Sequence, residues 1–284
     1  MPELPEVEFV ARQLQTELVG SCIVSAQICW ERSIRDMDPR DFAERIAGQT
    51  VTRVGRRGKH VLIFLDGGDV LVVHRRMSGN LYVTPPAPED PYTRVSFALD
   101  GGRRLLYSDP RKFGRLALVA ETNLNTFFAD LGPEPLAPEF TPTVLAKRLA
   151  GTQRAIKAAL LDQSIVAGLG NIYADEALFR AGLHPLRPAS SLTRAEVAAL
   201  HDGIRGALET GIEHGGTTFG RHRDAYNEAG RNVEHLDVYQ RTGQPCRRCG
   251  APIQRIVVAQ RGTHFCPQCQ PASSAREKRP ATRE

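Results

Sequence analysis

Three prolines in six residues, within Gly132-Pro133-Glu134-Pro135-Leu136-Ala137-Pro138, divide the chain into two unlike halves. Proline fixes φ and lacks an N–H, so neither a helix nor an internal strand runs through such a stretch. Before it, the apolar residues fall in short runs: Cys22 to Trp30, Val51 to Val54, His60 to Leu65, Val70 to Val73, Leu81 to Thr84, Arg94 to Leu99, Arg104 to Tyr107 and Leu116 to Val119. Glycine pairs in Asp66-Gly67-Gly68-Asp69 and Asp100-Gly101-Gly102-Arg103 read as tight turns between runs, the pattern of a β-sandwich or barrel. Beyond the prolines the period becomes helical. Thr141-Pro142 opens one helix, Arg154 to Leu161 and Ile172 to Arg180 form two more, and the capping box Thr193-Arg194-Ala195-Glu196 starts a fourth that stops at Gly215-Gly216.

At 284 residues each half is large enough for its own core. No apolar run reaches the length of a membrane span, and the opening lacks a signal-peptide core, so a cytosolic protein without a membrane partner is expected. The net charge of +5 and the pI near 9.0 favour a polyanionic partner. Arg241, Arg247, Arg248, Arg255 and Arg261 lie in a stretch with no acidic residue that reaches Cys269. There, Cys246-Arg247-Arg248-Cys249 and Cys266-Pro267-Gln268-Cys269 have the spacing of two knuckles that give four thiolates to one tetrahedral structural zinc. Disulfides suit a cytosolic chain poorly. The hairpin tip would carry Gln260, Arg261 and Gly262, suited to phosphate.

Met1-Pro2-Glu3-Leu4-Pro5-Glu6-Val7-Glu8 opens the chain. Removal of the initiator Met leaves Pro2 with a secondary amine, far less protonated near neutral pH than a lysine. Such an amine attacking a sugar C1′ gives an iminium that stays cationic, and Glu3 beside it is a candidate proton shuttle. Pro5 starts a helix whose apolar face is Leu4, Val7, Val10, Leu14 and Leu18; Glu6 and Glu8 in its first turn favour the dipole. An acidic helix start explains the same residues without any chemistry. Other motifs have equally plain alternatives. Gly168-Leu169-Gly170-Asn171 is either a phosphate grip or an ordinary turn with Asn171 as N-cap. Met77 in His74-Arg75-Arg76-Met77-Ser78-Gly79 and Phe113 in Asp109-Pro110-Arg111-Lys112-Phe113-Gly114-Arg115 are wedges for a base stack or core residues. His74 reads as a satisfied histidine, and Arg56-Arg57-Gly58-Lys59 as a phosphate contact or a solvated turn.

Together, and in this order, these motifs resemble the bacterial formamidopyrimidine-DNA glycosylases from residue 2 to about 269. The resemblance implies an α+β, multidomain fold. A catalytic β-sandwich flanked by helices (1–131) and a linker (132–140) would precede a helix-two-turn-helix domain (141–237) and a β-hairpin zinc finger (238–270); the polar, charged composition of 271–284 reads as a disordered tail. It implies Pro2 as nucleophile, Glu3 as proton shuttle, and Lys59, Asn171 and Arg261 on the phosphates around a flipped nucleotide. Lys157 would be a further cation near the lesion, and Met77, Arg111 and Phe113 would fill the gap left in the duplex. The implied activity is that of a bifunctional glycosylase and apurinic/apyrimidinic lyase, a monomer acting on duplex DNA with oxidised purines or abasic sites. The related endonuclease VIII type enzymes commonly have Gly where this chain has Leu4, so oxidised pyrimidines are the alternative substrate; a non-catalytic zinc-ribbon DNA binder is the other reading. The chain departs from the family in residues 219–234, where a loop that covers the flipped base is expected.

Overall fold

The computed structural model describes residues 1–85, 90–220 and 223–272. The tail from residue 273 onward, and Arg221 and His222 of the atypical segment, lie outside the described residues. Helix α1 (Leu4–Leu18) is followed by strands β1 (Ile23–Ile28), β2 (Val51–Arg57), β3 (His60–Leu65), β4 (Asp69–His74), β5 (Asn80–Thr84), β6 (Thr93–Leu99), β7 (Arg104–Ser108) and β8 (Arg115–Ala120). They form two antiparallel sheets of order β1-β6-β7-β5 and β2-β3-β4-β8, packed face to face. Val61, Ile63 and Leu65 of β3 meet Leu81, Val95, Phe97 and Leu105 of the other sheet. Leu62 and Phe64 point the opposite way, under Phe128. Both faces of β3 are therefore covered, which is why its sequence is continuously apolar instead of alternating.

Two helices of this half escape a reading by strand runs. In α2 (Pro39–Ile46), Asp38 caps by accepting from Arg40 N at 2.8 Å, and Phe42 and Ile46 enter the sandwich core. The one-turn α3 (Leu124–Phe127) brings Phe128 onto the outer sheet face.

The second half holds α4 (Pro142–Ala150), α5 (Ile156–Leu160), α6 (Asn171–Arg180) and α7 (Arg194–Glu213), around a core that includes Leu145, Leu160, Leu178, Leu200 and Leu208. The capping box is formed: Thr193 Oγ1 accepts from Glu196 N, and Glu196 Oε2 from Thr193 N. Strands β9 (Gln254–Val258) and β10 (Arg261–Phe265) make the C-terminal hairpin. Among the described residues no helix is long and apolar enough to cross a membrane.

Helix α1 and the proline-rich connection are among the places where the halves are held together. Leu4 of α1 packs in the helical core, whereas Val7, Val10, Leu14 and Leu18 of the same helix pack in the sandwich. In the proline-rich connection, Glu134 accepts from Arg57 Nη1 at 2.8 Å and Gly58 N at 2.6 Å and pairs with Arg56 at 2.6 Å. The start of α1 and the β2–β3 turn thereby meet the N-terminus of α6.

Candidate active site at the N-terminus

Glu3 is buried, and its carboxylate caps α6 from outside the helix. It accepts from Gly170 N at 2.8 Å, Ile172 N at 3.0 Å and Tyr173 N at 3.2 Å. A carboxylate at a helix N-terminus meets orphan amides and the positive end of the dipole together. These are the amides that the sequence offered to a phosphate; Glu3 holds three of them, and the N-cap is Gly170, with Asn171 as first helical residue. The glycines have a steric cause. A Cβ on Gly168 would stand 2.7 Å from Leu4, and one on Gly170 only 2.4 Å from Glu3 Oε1.

Glu6 does more than favour the dipole. Its carboxylate accepts from Glu3 N at 2.7 Å, Tyr173 OH at 2.6 Å and Thr217 N at 2.7 Å, tying together α1, α6 and the residues after α7. Burial, with Glu3 beside it, pushes its carboxyl above the usual range. Gly216 passes so near that a Cβ would lie 2.8 Å from Glu6 Cγ.

The α-amine of Met1, one residue before Pro2, feels the charges of this pair and of the cations Lys59 and Arg261. Burial, helped by those cations and opposed by Glu3 and Glu6, holds the amine below its ordinary value. Lys59 reaches in from the β2–β3 turn and donates to Leu169 O at 2.7 Å; burial lowers its pKa too. Arg261 is brought close by the hairpin tip, where Ala259 and Gln260 both take positive φ, as a two-residue turn of that hand requires. Asn171 ties this tip to α6 by donating from Nδ2 to Gly262 O at 2.9 Å.

Lys157 is set deeper than a cation presented to DNA. It has no exposed surface, pairs with Asp175 at 2.5 Å and donates to Asn171 O at 2.8 Å. Asp175 Oδ2 in turn accepts from His264 N at 2.9 Å, so the group links α5, α6 and β10.

Met77 and Phe113 are 42% and 48% exposed, far from core residues in their surroundings. The Arg111 guanidinium lies 4.7 Å over the Phe113 ring. What unites their two loops is Asp109, fully buried, a residue whose role the sequence reading passed over. It accepts from Ser78 Oγ at 2.5 Å in the Met77 loop, and from Arg111 N, Phe113 N and Gly114 N at 3.1, 2.8 and 2.8 Å in its own. The signal was the Asp-Pro pair, since an Asp that collects amides two to five residues on makes such turns. His74 accepts from Arg76 N at 3.0 Å and packs edge-on against His60, and burial with that neighbour lowers its pKa to about 2.

The Sγ atoms of Cys246, Cys249, Cys266 and Cys269 all lie within 4.8 Å of one another. Two of the pairs are 3.9 and 3.4 Å apart, near the roughly 3.8 Å edge of a tetrahedron with Zn–S bonds of about 2.3 Å. Amides of Arg248 and Cys269 each point at a sulfur at 3.4 Å. The set fits one structural zinc with no open position. Asn171 and Arg261 thus depend on a hairpin that the metal would fold.

A sandwich carrying a buried, charge-surrounded N-terminus, joined to a helical domain and a four-cysteine finger, defines a zinc-finger DNA glycosylase architecture. Family models match along it: the formamidopyrimidine-DNA glycosylase N-terminal domain over residues 1–116, the formamidopyrimidine-DNA glycosylase H2TH domain over 131–222, and the zinc finger found in FPG and IleRS over 243–272. The chain belongs to the formamidopyrimidine-DNA glycosylase family. It is 51% identical over 272 residues to the formamidopyrimidine-DNA glycosylase of Roseiflexus sp. (strain RS-1), covering 95% of this chain and all of that one. To the enzyme of Symbiobacterium thermophilum it is 51% identical over 291 residues, covering 100% and 95%. Among solved structures, the Lactococcus lactis Fpg with abasic-site DNA superposes with a TM-score of 0.89 at 35% identity, covering 95% of this chain and 99% of that one. The same enzyme with DNA containing an oxidised pyrimidine gives 0.89 at 36% identity, covering 95% and 100%.

Proposed function

We propose that the chain excises oxidised purines, 8-oxoguanine and formamidopyrimidines, from duplex DNA and then cuts the abasic site on both sides. After removal of Met1, the Pro2 amine attacks C1′ of the damaged nucleotide, and the base leaves with the electron pair of the glycosidic bond. The ring C1′–O bond then opens, its oxygen taking a proton relayed by Glu3, and an iminium forms between Pro2 and C1′. The iminium acidifies C2′, so loss of a C2′ proton expels the 3′ phosphate, and a second elimination expels the 5′ phosphate. The free amine is then regenerated by hydrolysis.

The observation that carries this reading is the convergence of Glu3, Glu6, Lys59 and Arg261 on the chain terminus, with Glu3 fixed by three amides. In the same reading Lys59, Asn171 and Arg261 hold the phosphates of the extruded nucleotide, with Lys157 supporting Asn171 from below. Met77, Arg111 and Phe113 occupy the vacated stack. The working units are the catalytic sandwich 1–131, the helix-two-turn-helix part 141–237 and the finger 238–270, acting as a monomer on DNA in the bacterial cytoplasm.

Oxidised pyrimidines are a second substrate class, favoured by the Lactococcus lactis complex with such DNA. Duplexes carrying 8-oxoguanine, a formamidopyrimidine or thymine glycol, each opposite cytosine or adenine, separate the two. Faster excision of the purine lesions is expected, and a preference for thymine glycol would reverse the assignment.

A further inference from the structure

Arg75 is 1% exposed, among the largest fully buried side chains of the described residues. A buried guanidinium is costly unless its donors are matched, and a buried charge is weak evidence of stabilisation for its own sake. Nε and Nη2 have partners in two places, while Nη1 has none among the described residues. Within the Met77 turn, Nε donates to Gly79 O at 2.9 Å and Nη2 to Asn80 Oδ1 at 3.0 Å. Across the molecule, Nη2 donates to Arg223 O at 2.6 Å, while Arg223 N donates to the same Asn80 Oδ1 at 3.0 Å.

The segment that begins at Arg223 is pinned to the sandwich. Ala225 is fully buried in the sandwich core, and its carbonyl accepts from Val83 N at 3.2 Å. Gln13 of α1 receives Ala225 N at 2.9 Å and donates to Asp224 Oδ2 at 2.8 Å. The segment returns to the candidate site: Thr217 pairs with Arg231, and Thr217 N donates to the Glu6 carboxylate that also holds Glu3 N. One side chain, two residues before Met77, therefore touches both the turn that carries Met77 and a segment rooted at Glu6.

We propose that Arg75 is a positioning residue for base removal, coupling the place of Met77 in the duplex to the place of the Arg223–Arg231 segment, which is tied through Thr217 to Glu6. This rests on the reading of the site as a glycosylase. An abasic site has no base to be placed, so the coupling bears on excision of a damaged base and leaves scission of a preformed abasic site unaffected.

Single-turnover rates are measured for Arg75→Met and Arg75→Lys on one duplex carrying either 8-oxoguanine or a preformed abasic site, with thermal melts to verify folding. Lysine keeps the charge but cannot reach all three acceptors. Base removal is expected to fall tenfold or more, with scission of the abasic site within twofold of the unaltered chain. Met77→Ala added to Arg75→Met is expected to cost less than the product of the two separate losses. Gln13→Leu, which releases the segment without touching Arg75, is expected to show the same selective loss. Equal losses on both substrates, no loss on either, or losses that multiply would overturn the proposal. An unaltered chain inactive on both substrates would instead sink the glycosylase reading, so the two failures are distinguishable.

Discussion

The carboxylate of Glu3 lies 2.8 Å from the amide of Gly170, a contact that spans 167 residues of chain. It brings the first residues of the sandwich half onto the first turn of α6, and it explains two features that local sequence leaves unconnected: an acidic N-terminus and a glycine-rich turn.

Gly170→Ala tests that explanation. The backbone at Gly170 is extended (φ −133°), which any residue adopts, so the added methyl acts by its clash with Glu3. A loss of at least a hundredfold in base removal is expected, with stability lowered by about 1–3 kcal/mol, as for other overpacked sites. Gly151→Ala, with open space around its Cβ, serves as the control and leaves both unchanged. Full activity in Gly170→Ala would show that the Glu3 carboxylate need not sit where it does.

The terminal amine fixes a pH dependence. Burial first, and then Lys59 and Arg261, lower the pKa of the Met1 amine; the Pro2 amine freed by loss of Met1 enters the same surroundings, and its neutral form is expected to persist to lower pH than on a free chain. The acid limb of iminium formation, followed in single turnover, is expected to have its midpoint below the roughly 7.7–8.0 of an ordinary α-amine. Removing a nearby cation raises an amine's pKa, so Lys59→Met moves the midpoint upward. A midpoint at the ordinary value that ignores Lys59→Met would contradict the electrostatic description.

In the proposed reading the finger links metal to DNA contact. Cys246, Cys249, Cys266 and Cys269 are held as a closed set, and the hairpin they support presents Arg261 and the Gly262 carbonyl that engages Asn171. One zinc per chain is expected by elemental analysis. Its removal with a chelator should abolish hairpin amide protection and binding to lesion duplex, while the sandwich core melts as before. Unchanged DNA affinity after complete removal of the metal would separate the finger from binding.

Much of this was legible in the sequence, and the reasons differ by element. Turn glycines and apolar runs located the eight sandwich strands, and Thr193 with Glu196 announced α7, because those signals are local. The cysteine spacing is local in the same sense. The short α2 and α3 were missed: their apolar residues are few, and packing against the sheets decides them. Glu6 and Asp109 illustrate a further limit. Each collects partners from distant parts of the chain, Thr217 and Tyr173 for one and Ser78 for the other, and no periodicity encodes such a meeting. Lys157 shows the reverse problem, since a lysine is read as exposed until its Asp175 partner is seen.

The central claim is that the chemistry passes through the N-terminal amine. Borohydride reduction during turnover on 8-oxoguanine duplex, followed by proteolysis and mass spectrometry of the cross-linked peptide, tests it most directly. The account predicts a covalent adduct on Pro2, with Met1 absent, and none from Pro2→Gly under conditions that trap the unaltered chain fully. An adduct on Lys59 or another side chain, or turnover of the lesion without any trapped species, would contradict it.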